Sequence, residues 1–193
     1  MQRLNRIDAV LSGIKGAIVR ERDPESLYRA ACRVAVDVGG FKLAWIGLLD
    51  PESSRIEPIA HAGAAGDYLA HLSISLADAE RAHGPTGLAI LRGRHAVCKA
   101  IASDSQMLPW RDAALARGFR ASAAFPIWVA GTLRRVFSLC ADHEGFFDTE
   151  ALRLLDDLTA DLGVALELIE ATAELRAQRD ILDRTDHLAQ VGG

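Results

Sequence analysis

Apolar residues recur every three or four positions over the first forty residues, which is the spacing of amphipathic helices. The first helix is predicted from a stripe that contains Leu4, Ile7, Leu11, Ile14 and Ile18. A second helix is predicted to start at Asp23, because aspartate is a good N-cap and Pro24 fits the first helical position. Gly39–Gly40 then ends the second helix.

Strand-like patterns follow this helical segment. Residues 41–50 (FKLAWIGLLD) are almost continuously apolar, so we expect a strand buried on both faces in the middle of a sheet. A turn at 50–54 and a strand at 55–61 complete an antiparallel hairpin. Ala130–Gly131 predicts a second hairpin between the stretches RASAAFPIWV and TLRRVFSLCAD. The segment between the hairpins predicts short elements, namely strands at 71–75 and 95–100 and helices at 86–92 and 110–117.

A long helix is predicted from Asp148 onward, with this aspartate as its N-cap. Its first apolar stripe contains Leu152, Leu155, Leu158, Leu162, Ala165 and Ile169. A narrower seam with heptad spacing then contains Leu168, Ala171, Leu175, Gln178, Leu182 and Thr185. Because so thin a stripe buries little against its own domain, we expect it to pair with a second copy of the chain. The order of elements predicts an α+β sandwich with a sheet of five or six strands.

Composition narrows the class of protein. The chain has 193 residues, half of them hydrophobic, which fits one domain with an appended element. With a net charge of −4, the chain lacks the excess of basic residues typical of proteins that bind nucleic acid. No apolar run is long enough to span a membrane. The N-terminus does not resemble a signal peptide. Cys32, Cys98 and Cys140 are odd in number and far apart, which favours a reducing cytoplasm over a disulfide framework.

The stretch HGPTGLAILRGR (residues 83–94) raises the question of a phosphate-binding loop. A Walker loop requires a Lys that is absent here, and the spacing of Gly84 and Gly87 does not match a dinucleotide fingerprint either. Two interpretations remain. The segment is a tight turn that starts a helix, or its free N–H groups hold an anion or polar ligand at the helix N-terminus.

The other chemical candidates are sparse. The six histidines show no metal-binding spacing, and no nucleophile motif is present, so neither a metal site nor a catalytic residue is predicted. Cys98 and Cys140 lie in strand-like runs, where a buried, inert thiol is the usual state. Trp110 and Arg111 adjoin at a loop-to-helix junction. They suit a small acidic or planar ligand, or else Trp110 simply covers the sheet while Arg111 faces water.

Several stretches, in order along the chain, resemble a GAF domain: AWIGLLDPESSRIEPIAHAG, GDYL, GPTGLAILRG, ASDSQMLPWRDAALARGFRASAAFPI and GFFDTEALRLLDDLTADLGVALE. The resemblance is to GAF domains of bacterial sensory proteins that also carry PAS, GGDEF, EAL or histidine-kinase modules. It implies a six-stranded antiparallel sheet with helices on one face. The other face would hold a ligand pocket under a roof of loops and short helices, and the resemblance does not identify a cofactor. The candidate residues of this pocket are Trp45, His83, Thr86, Trp110, Arg111 and Ser122.

The same resemblance implies a division of the chain. Residues 1–22 would be a dimerisation helix, 23–167 the GAF domain and 168–187 a coiled-coil signalling linker. Residues 188–193 resemble the start of a PAS domain, so we expect the chain to be part of a longer protein. The signatures of cyclic-nucleotide-binding and bilin-binding members are absent, and Arg81-Ala82-His83 replaces the Gly-Arg more usual before GPTG.

Three functions follow from these observations. The first is a cytoplasmic sensory module that binds a small molecule and signals through its flanking helices as a homodimer. The second is a structural dimerisation module whose pocket is filled by its own side chains, with Ala123, Ala124, Phe125 and Trp128 as candidates. The third, thiol redox catalysis, requires converging cysteines, and the three present do not match the closely spaced cysteines of GAF-fold methionine-sulfoxide reductases. We therefore expect the chain not to be an enzyme.

Overall fold

The computed structural model describes residues 2–192, which form a six-stranded sheet between two layers of helices. The strands are β1 (Leu43–Asp50), β2 (Arg55–Gly63), β3 (Ile74–Ser75), β4 (Ala96–Cys98), β5 (Ala121–Val129) and β6 (Thr132–Ala141). The helices are α1 (Gln2–Arg20), α2 (Pro24–Asp37), α3 (Tyr68–His71), α4 (Pro85–Arg92), α5 (Arg111–Ala116) and α6 (Thr149–Val191). A 3₁₀ turn, Ser105–Met107, precedes α5.

The strand order is β3-β2-β1-β6-β5-β4, and every neighbouring pair is antiparallel. The predicted α+β class and six-stranded antiparallel sheet are therefore confirmed. β1 lies in the middle of the sheet and its first five residues are buried, as its apolar run predicts. The β5–β6 hairpin turns at Ala130 and Gly131, which both adopt positive φ. The strand expected over 71–75 is reduced to Ile74–Ser75.

One face of the sheet packs against α2 and α6, and α1 packs on these two helices. This core combines the stripes of the helices with alternate residues of β5 and β6, such as Phe125, Ile127, Phe137 and Leu139. Asp23 and Asp148 cap α2 and α6 as predicted, since each carboxylate accepts a hydrogen bond of 2.9 Å from a backbone N–H three residues later. The sequence pattern thus correctly indicates where these two helices start.

The opposite face of the sheet is covered by α3, α4, α5 and their connecting loops, which we call the roof. A second core lies beneath it and includes Trp45, Leu88, Trp110 and Phe119. α4 is held close to the sheet by its contacts with β5 and β6. The roof and the sheet between them enclose the candidate site.

α6 has two parts with different surroundings. Its first half packs on β5 and α1, and Gly163 lies so close to the carbonyl oxygen of Trp128 that a side chain there would clash with the strand backbone. From residue 171 to 191 every position is exposed. At 1.5 Å per residue, this exposed part extends about 30 Å beyond the domain.

Candidate functional site

A small inner cavity of about 30 Å³ lies between the sheet and the roof. Most of its wall is apolar and much of that is aromatic, formed by Trp45, Tyr68, Leu72, Ile74, Met107 and Trp110. Burial raises the pKa of Tyr68, so this phenol stays neutral. Within residues 2–192, no Asp, Glu, Lys or Arg side chain lines the inner cavity. The space as it stands is about the size of one water molecule.

The polar groups of the cavity are hydroxyls, one thiol and the N-terminus of α4. Thr86 Oγ1 lies 2.9 Å from Ser138 Oγ, and both residues are buried. Ser122 and Cys140 also line the cavity, and the Cys140 thiol donates to Ser122 Oγ over 4.0 Å. No side chain from the described part of the chain caps α4, whose first turn forms part of the wall. Its first N–H groups therefore offer donors to a bound molecule.

The two glycines of the Gly84–Gly87 turn are explained by close packing. A methyl group on Gly84 would lie 2.5 Å from the six-membered ring of Trp110. One on Gly87 would clash with the backbone of Ala82, because that carbonyl is folded back against the first turn of α4. The turn is thus a compact helix start on which Trp110 rests, consistent with the first of the two interpretations made from the sequence.

Trp110 separates the inner cavity from an outer groove of about 830 Å³ on the roof surface. The groove is lined by His71, Ser73, Glu80, Arg81, His83 and Gln106, among others. Trp110 lines both spaces and is only 8% exposed. Moving its ring would join them, because no other residue in the described chain lines both.

The structure brings together four of the six predicted pocket residues. Trp45, Thr86, Trp110 and Ser122 line the inner cavity. His83 lies in the outer groove, where its Nδ1 pairs with the carbonyl oxygen of Ala79.

Arg111, the sixth predicted residue, lines neither space and holds the roof together instead. Its Nε donates to the carbonyl of Ile101 over 3.1 Å, and a terminal nitrogen donates to that of Asp104 over 2.6 Å. These bonds fix the loop that carries Met107 and Trp110.

Four further residues lie at the site that are not among those predicted from the sequence: Tyr68, Met107, Ser138 and Cys140. Ser138 and Cys140 alternate on β6 with residues that face the helical layer, so strand periodicity would have placed them together on the roof side. Tyr68 and Met107 come from the irregular roof, where no periodic signal exists. Their positions follow from packing alone.

The pocket-filling residues expected for a structural module are not those observed. Ala123 and Phe125 belong to the core on the helical side of the sheet, and Trp128 is 49% exposed at the end of β5. Ala124 faces the roof but does not line the inner cavity. The cavity is narrowed instead by side chains of the roof, chiefly Trp110 and Met107. That part of the expectation was wrong because strand alternation places odd-numbered residues of β5 on the helical face.

The three cysteines are free and buried. Burial raises the pKa of each thiol to about 12, and at Cys98 the nearby Asp104 carboxylate adds to the effect. Cys98 is paired with Ser122, and Ser122 with Cys140, on three neighbouring strands. Since one strand separates the two thiol-bearing strands, their Cα atoms are about 10 Å apart, too far for a disulfide without backbone movement.

Across residues 2–192, no group of three or more His, Cys, Asp or Glu side chains is arranged to hold a metal ion. No helix within that same range has the length and apolar character needed to cross a membrane.

The fold and the roofed cavity define the class to which the chain belongs. The GAF domain family model matches residues 21–167, and the chain therefore belongs to the GAF domain family. No curated protein matches the chain.

Solved structures share the fold at low identity. A free methionine-R-sulfoxide reductase from Neisseria meningitidis, solved in complex with its substrate, is 18% identical with a TM-score of 0.70, over 86% of this chain and 91% of that one. The GAF domain of an Acinetobacter phosphoenolpyruvate-protein phosphotransferase is 16% identical with a TM-score of 0.66, over 88% and 97%. The A. aeolicus nlh2 GAF domain, in an inactive state, is 19% identical with a TM-score of 0.62, over 84% and 96%.

These comparisons correct one prediction. The expectation that the chain is not an enzyme was wrong, because the structures that share its fold include free methionine-R-sulfoxide reductases. At this level of identity the likeness establishes the fold alone, and the fold serves both catalytic and regulatory proteins.

Proposed function

We propose that this GAF domain is a sensory module that binds a small, planar, uncharged molecule and passes the signal to α6 in a homodimer. The observation that carries the proposal is the position of Trp110 between a closed, uncharged inner cavity and a large outer groove. A single aromatic side chain thus controls whether the space above the sheet is open or closed.

The chemistry of the wall supports this ligand class. Trp45, Tyr68 and Trp110 offer aromatic surfaces to a flat ring. The N–H groups at the start of α4 suit one acceptor oxygen or nitrogen of the ligand. A charged ligand would lose its hydration without gaining a partner of opposite charge, since no ionic side chain of the described chain reaches the inner cavity.

A path from the cavity to α6 runs through β6. Cys140 of this strand lines the cavity, and Ser138 lies within hydrogen-bond distance of the cavity residue Thr86. Arg135 of the same strand bonds to two helices. Arg135 Nε donates to the Tyr28 hydroxyl of α2 over 2.7 Å, and its terminal nitrogen donates to Glu170 of α6 over 2.5 Å. Glu170 lies where α6 leaves the domain. A ligand would shift α6 only by binding one arrangement of these strands and helices more tightly than the other.

The wider organisation is part of the same proposal. We place a dimerisation helix at residues 1–22, the GAF domain at 23–167, a coiled-coil linker at 168–187 and the start of a PAS module at 188–193. The first and last of these segments each include one residue, Met1 and Gly193, that lies outside the residues described by the structure. Leu168, Leu175 and Leu182 are each about two-thirds exposed, which supports pairing of α6 with a second copy. The output would be a PAS, GGDEF, EAL or histidine-kinase module of a bacterial protein. Three free thiols fit a reducing cytoplasm.

The proposal is tested by thermal unfolding of the purified chain with indole and other uncharged planar heterocycles, with indole-3-acetate as a charged counterpart. A compound at 100 times its Kd adds about 2.7 kcal/mol, which raises the Tm of a domain of this size by about 5–10 °C. Uncharged compounds are expected to raise the Tm and the carboxylate is not. No shift with any uncharged heterocycle would contradict the proposal.

The same experiment distinguishes a second function, a structural module with a permanently closed cavity. The observation in its favour is the small free volume of about 30 Å³. The control is Trp110→Ala, which removes the side chain that closes the cavity and leaves a space of about the size of an indole ring, joined to the outer groove. If Trp110→Ala is stabilised by indole but the unmodified chain responds to no heterocycle, the structural function is supported and sensing is rejected.

A further inference from the structure

A second concave surface, the Trp128 groove, lies where α6 crosses the end of β5. It has a volume of about 520 Å³, and its wall combines the apolar side chains of Pro126, Trp128, Ala160 and Val164 with the polar ones of Arg94, Thr159 and the His95–Asp156 pair. In that pair, His95 Nδ1 lies 2.8 Å from Asp156 Oδ2. Trp128 is 49% exposed and Val164 is 68% exposed. The groove is on another part of the molecule from the cavity and the outer groove.

The wall of this groove belongs to an outward face of α6. Leu162, Ala165 and Leu166 of the same helical turns are buried against the domain. Val164 and Leu168, which point away from that buried side, are 68% and 67% exposed. The same turns of α6 therefore carry two apolar faces, one packed against the domain and one that the domain leaves exposed.

The uncovered face continues into the heptad seam of α6. Val164 is four residues before Leu168, and Ala171, Leu175 and Leu182 follow at heptad spacing. The first seam position thus lies within the domain itself and forms part of the Trp128 groove. The apolar side chains of the groove therefore continue into the exposed seam of α6, while the opposite wall of the groove is polar.

We propose that the Trp128 groove is the domain's part of the dimer interface, and that its occupant is a second copy of this chain. The inference rests on the proposed pairing of α6. Paired helices lie 8–10 Å apart, so a second α6 in the seam at Val164 passes directly beside the wall that holds Trp128. The indole ring then becomes buried between β5 and the partner copy, and it fixes the domain relative to the coiled coil.

The first experiment tests the dimer alone. Ala171 lies in the seam and Ala173 lies two residues away on the helix surface, and both are exposed. In a parallel pair, Ala171→Cys forms an intermolecular disulfide under mild oxidation and Ala173→Cys does not. The three native cysteines are buried and do not compete. Equal cross-linking of both variants, or none, would reject the pairing of α6 and with it the proposed dimer.

The second experiment tests the groove, using analytical ultracentrifugation of Trp128→Ser. The matched control is Leu91→Ser, which removes another apolar side chain, 54% exposed, from α4 outside the groove. Because buried tryptophans dominate interface energies, we expect Trp128→Ser to weaken dimerisation at least about tenfold. Leu91→Ser is expected to leave the dimer Kd unchanged.

A measurement on the unmodified chain makes the test independent of folding defects in a variant. Trp45 and Trp110 are buried in the single copy, so a blue shift of tryptophan emission upon dimerisation reports on Trp128. The shift is expected over the concentration range in which the dimer forms. The groove inference is overturned if tryptophan emission does not shift upon dimerisation and Trp128→Ser has the dimer Kd of the unmodified chain. If Ala171→Cys nevertheless cross-links, the pairing of α6 still holds.

Discussion

The contact between Gly84 and Trp110 gives the sharpest prediction about the roof. Gly84 has φ −69° and ψ 165°, a conformation that alanine adopts readily, so Gly84→Ala brings no backbone strain. The added methyl group would lie 2.5 Å and 2.9 Å from two ring carbons of Trp110, well inside van der Waals contact. The substitution therefore acts on the tryptophan ring and pushes it away from α4.

The expected cost follows from overpacking in a closed site, which is typically about 1–3 kcal/mol. Equilibrium urea unfolding measures this cost, and the displaced Trp110 should shift its emission toward the red. Trp110→Leu removes the ring that the methyl group contacts. In that background we expect Gly84→Ala to cost less than about 0.5 kcal/mol, which gives a coupling energy of about 1–2 kcal/mol between the two positions.

The control is Gly16→Ala in α1, where a methyl group would meet only the flexible end of Arg20. This change should leave the protein as stable or stabilise it by up to about 1 kcal/mol, since alanine is a better helix former than glycine. If Gly84→Ala costs the same with Trp110 as with Leu at position 110, the ring does not close the cavity and the reasoning is refuted.

Three further predictions concern the thiols, the crossing of α6 and the link to β6. The pKa of Cys32 is about 12 in the folded protein and near 8.5 in the unfolded chain, so the free energy of unfolding falls as the pH rises above about 8.5. Cys32→Ala should therefore make this fall less steep between pH 9 and 10.5, by about 1.4 kcal/mol per pH unit. An unchanged slope would show that the thiol is accessible in the folded protein. Gly163→Ala should lower the free energy of unfolding, measured in urea, by about 1–3 kcal/mol, although alanine has the higher helix propensity, because the strand backbone at Trp128 leaves no room for the methyl group. A variant that is more stable than the unmodified protein would contradict this close approach. Arg135→Ala should cost about 1–3 kcal/mol and speed hydrogen exchange of α6 amides near Glu170, and exchange that stays unchanged would rule out the link.

The regular elements were accessible from the sequence because their signals are local. The apolar run of β1, the caps at Asp23 and Asp148 and the turn at Ala130–Gly131 each depend on a few neighbouring residues. The resemblance to a GAF domain then supplied the arrangement of these elements. The family assignment of residues 21–167 confirms it.

The details of the site were less accessible because they depend on contacts between distant segments. Thr86 meets Ser138 across 52 positions of sequence, and Trp110 rests on Gly84 from a separate loop. Arg111 illustrates the difficulty, since its place beside Trp110 favoured a ligand contact whereas its guanidinium bonds to two backbone carbonyls. No local pattern distinguishes these two roles.

Whether the chain is an enzyme does not follow from the spacing of its cysteines. The spacing of the three cysteines predicts a protein that is not an enzyme, but this prediction is wrong, since the same fold occurs in free methionine-R-sulfoxide reductases. Fold and function are separable, so the chemistry of this chain depends on its own groups. Here these groups are three buried thiols whose pKa is raised to about 12 and a cavity without charged side chains in the described structure.

The most direct test of the central claim is a ¹⁹F NMR titration of the chain labelled with 5-fluorotryptophan, using the uncharged heterocycle that raises the Tm most. The three tryptophans are natural reporters, because Trp45 and Trp110 line the inner cavity and Trp128 lies in a separate groove. Ligand binding beneath the roof predicts that the Trp45 and Trp110 resonances shift together at the same Kd, with Trp110 changing most. A titration that shifts only Trp128, or none of the three, would contradict the claim that Trp110 opens this cavity to a ligand.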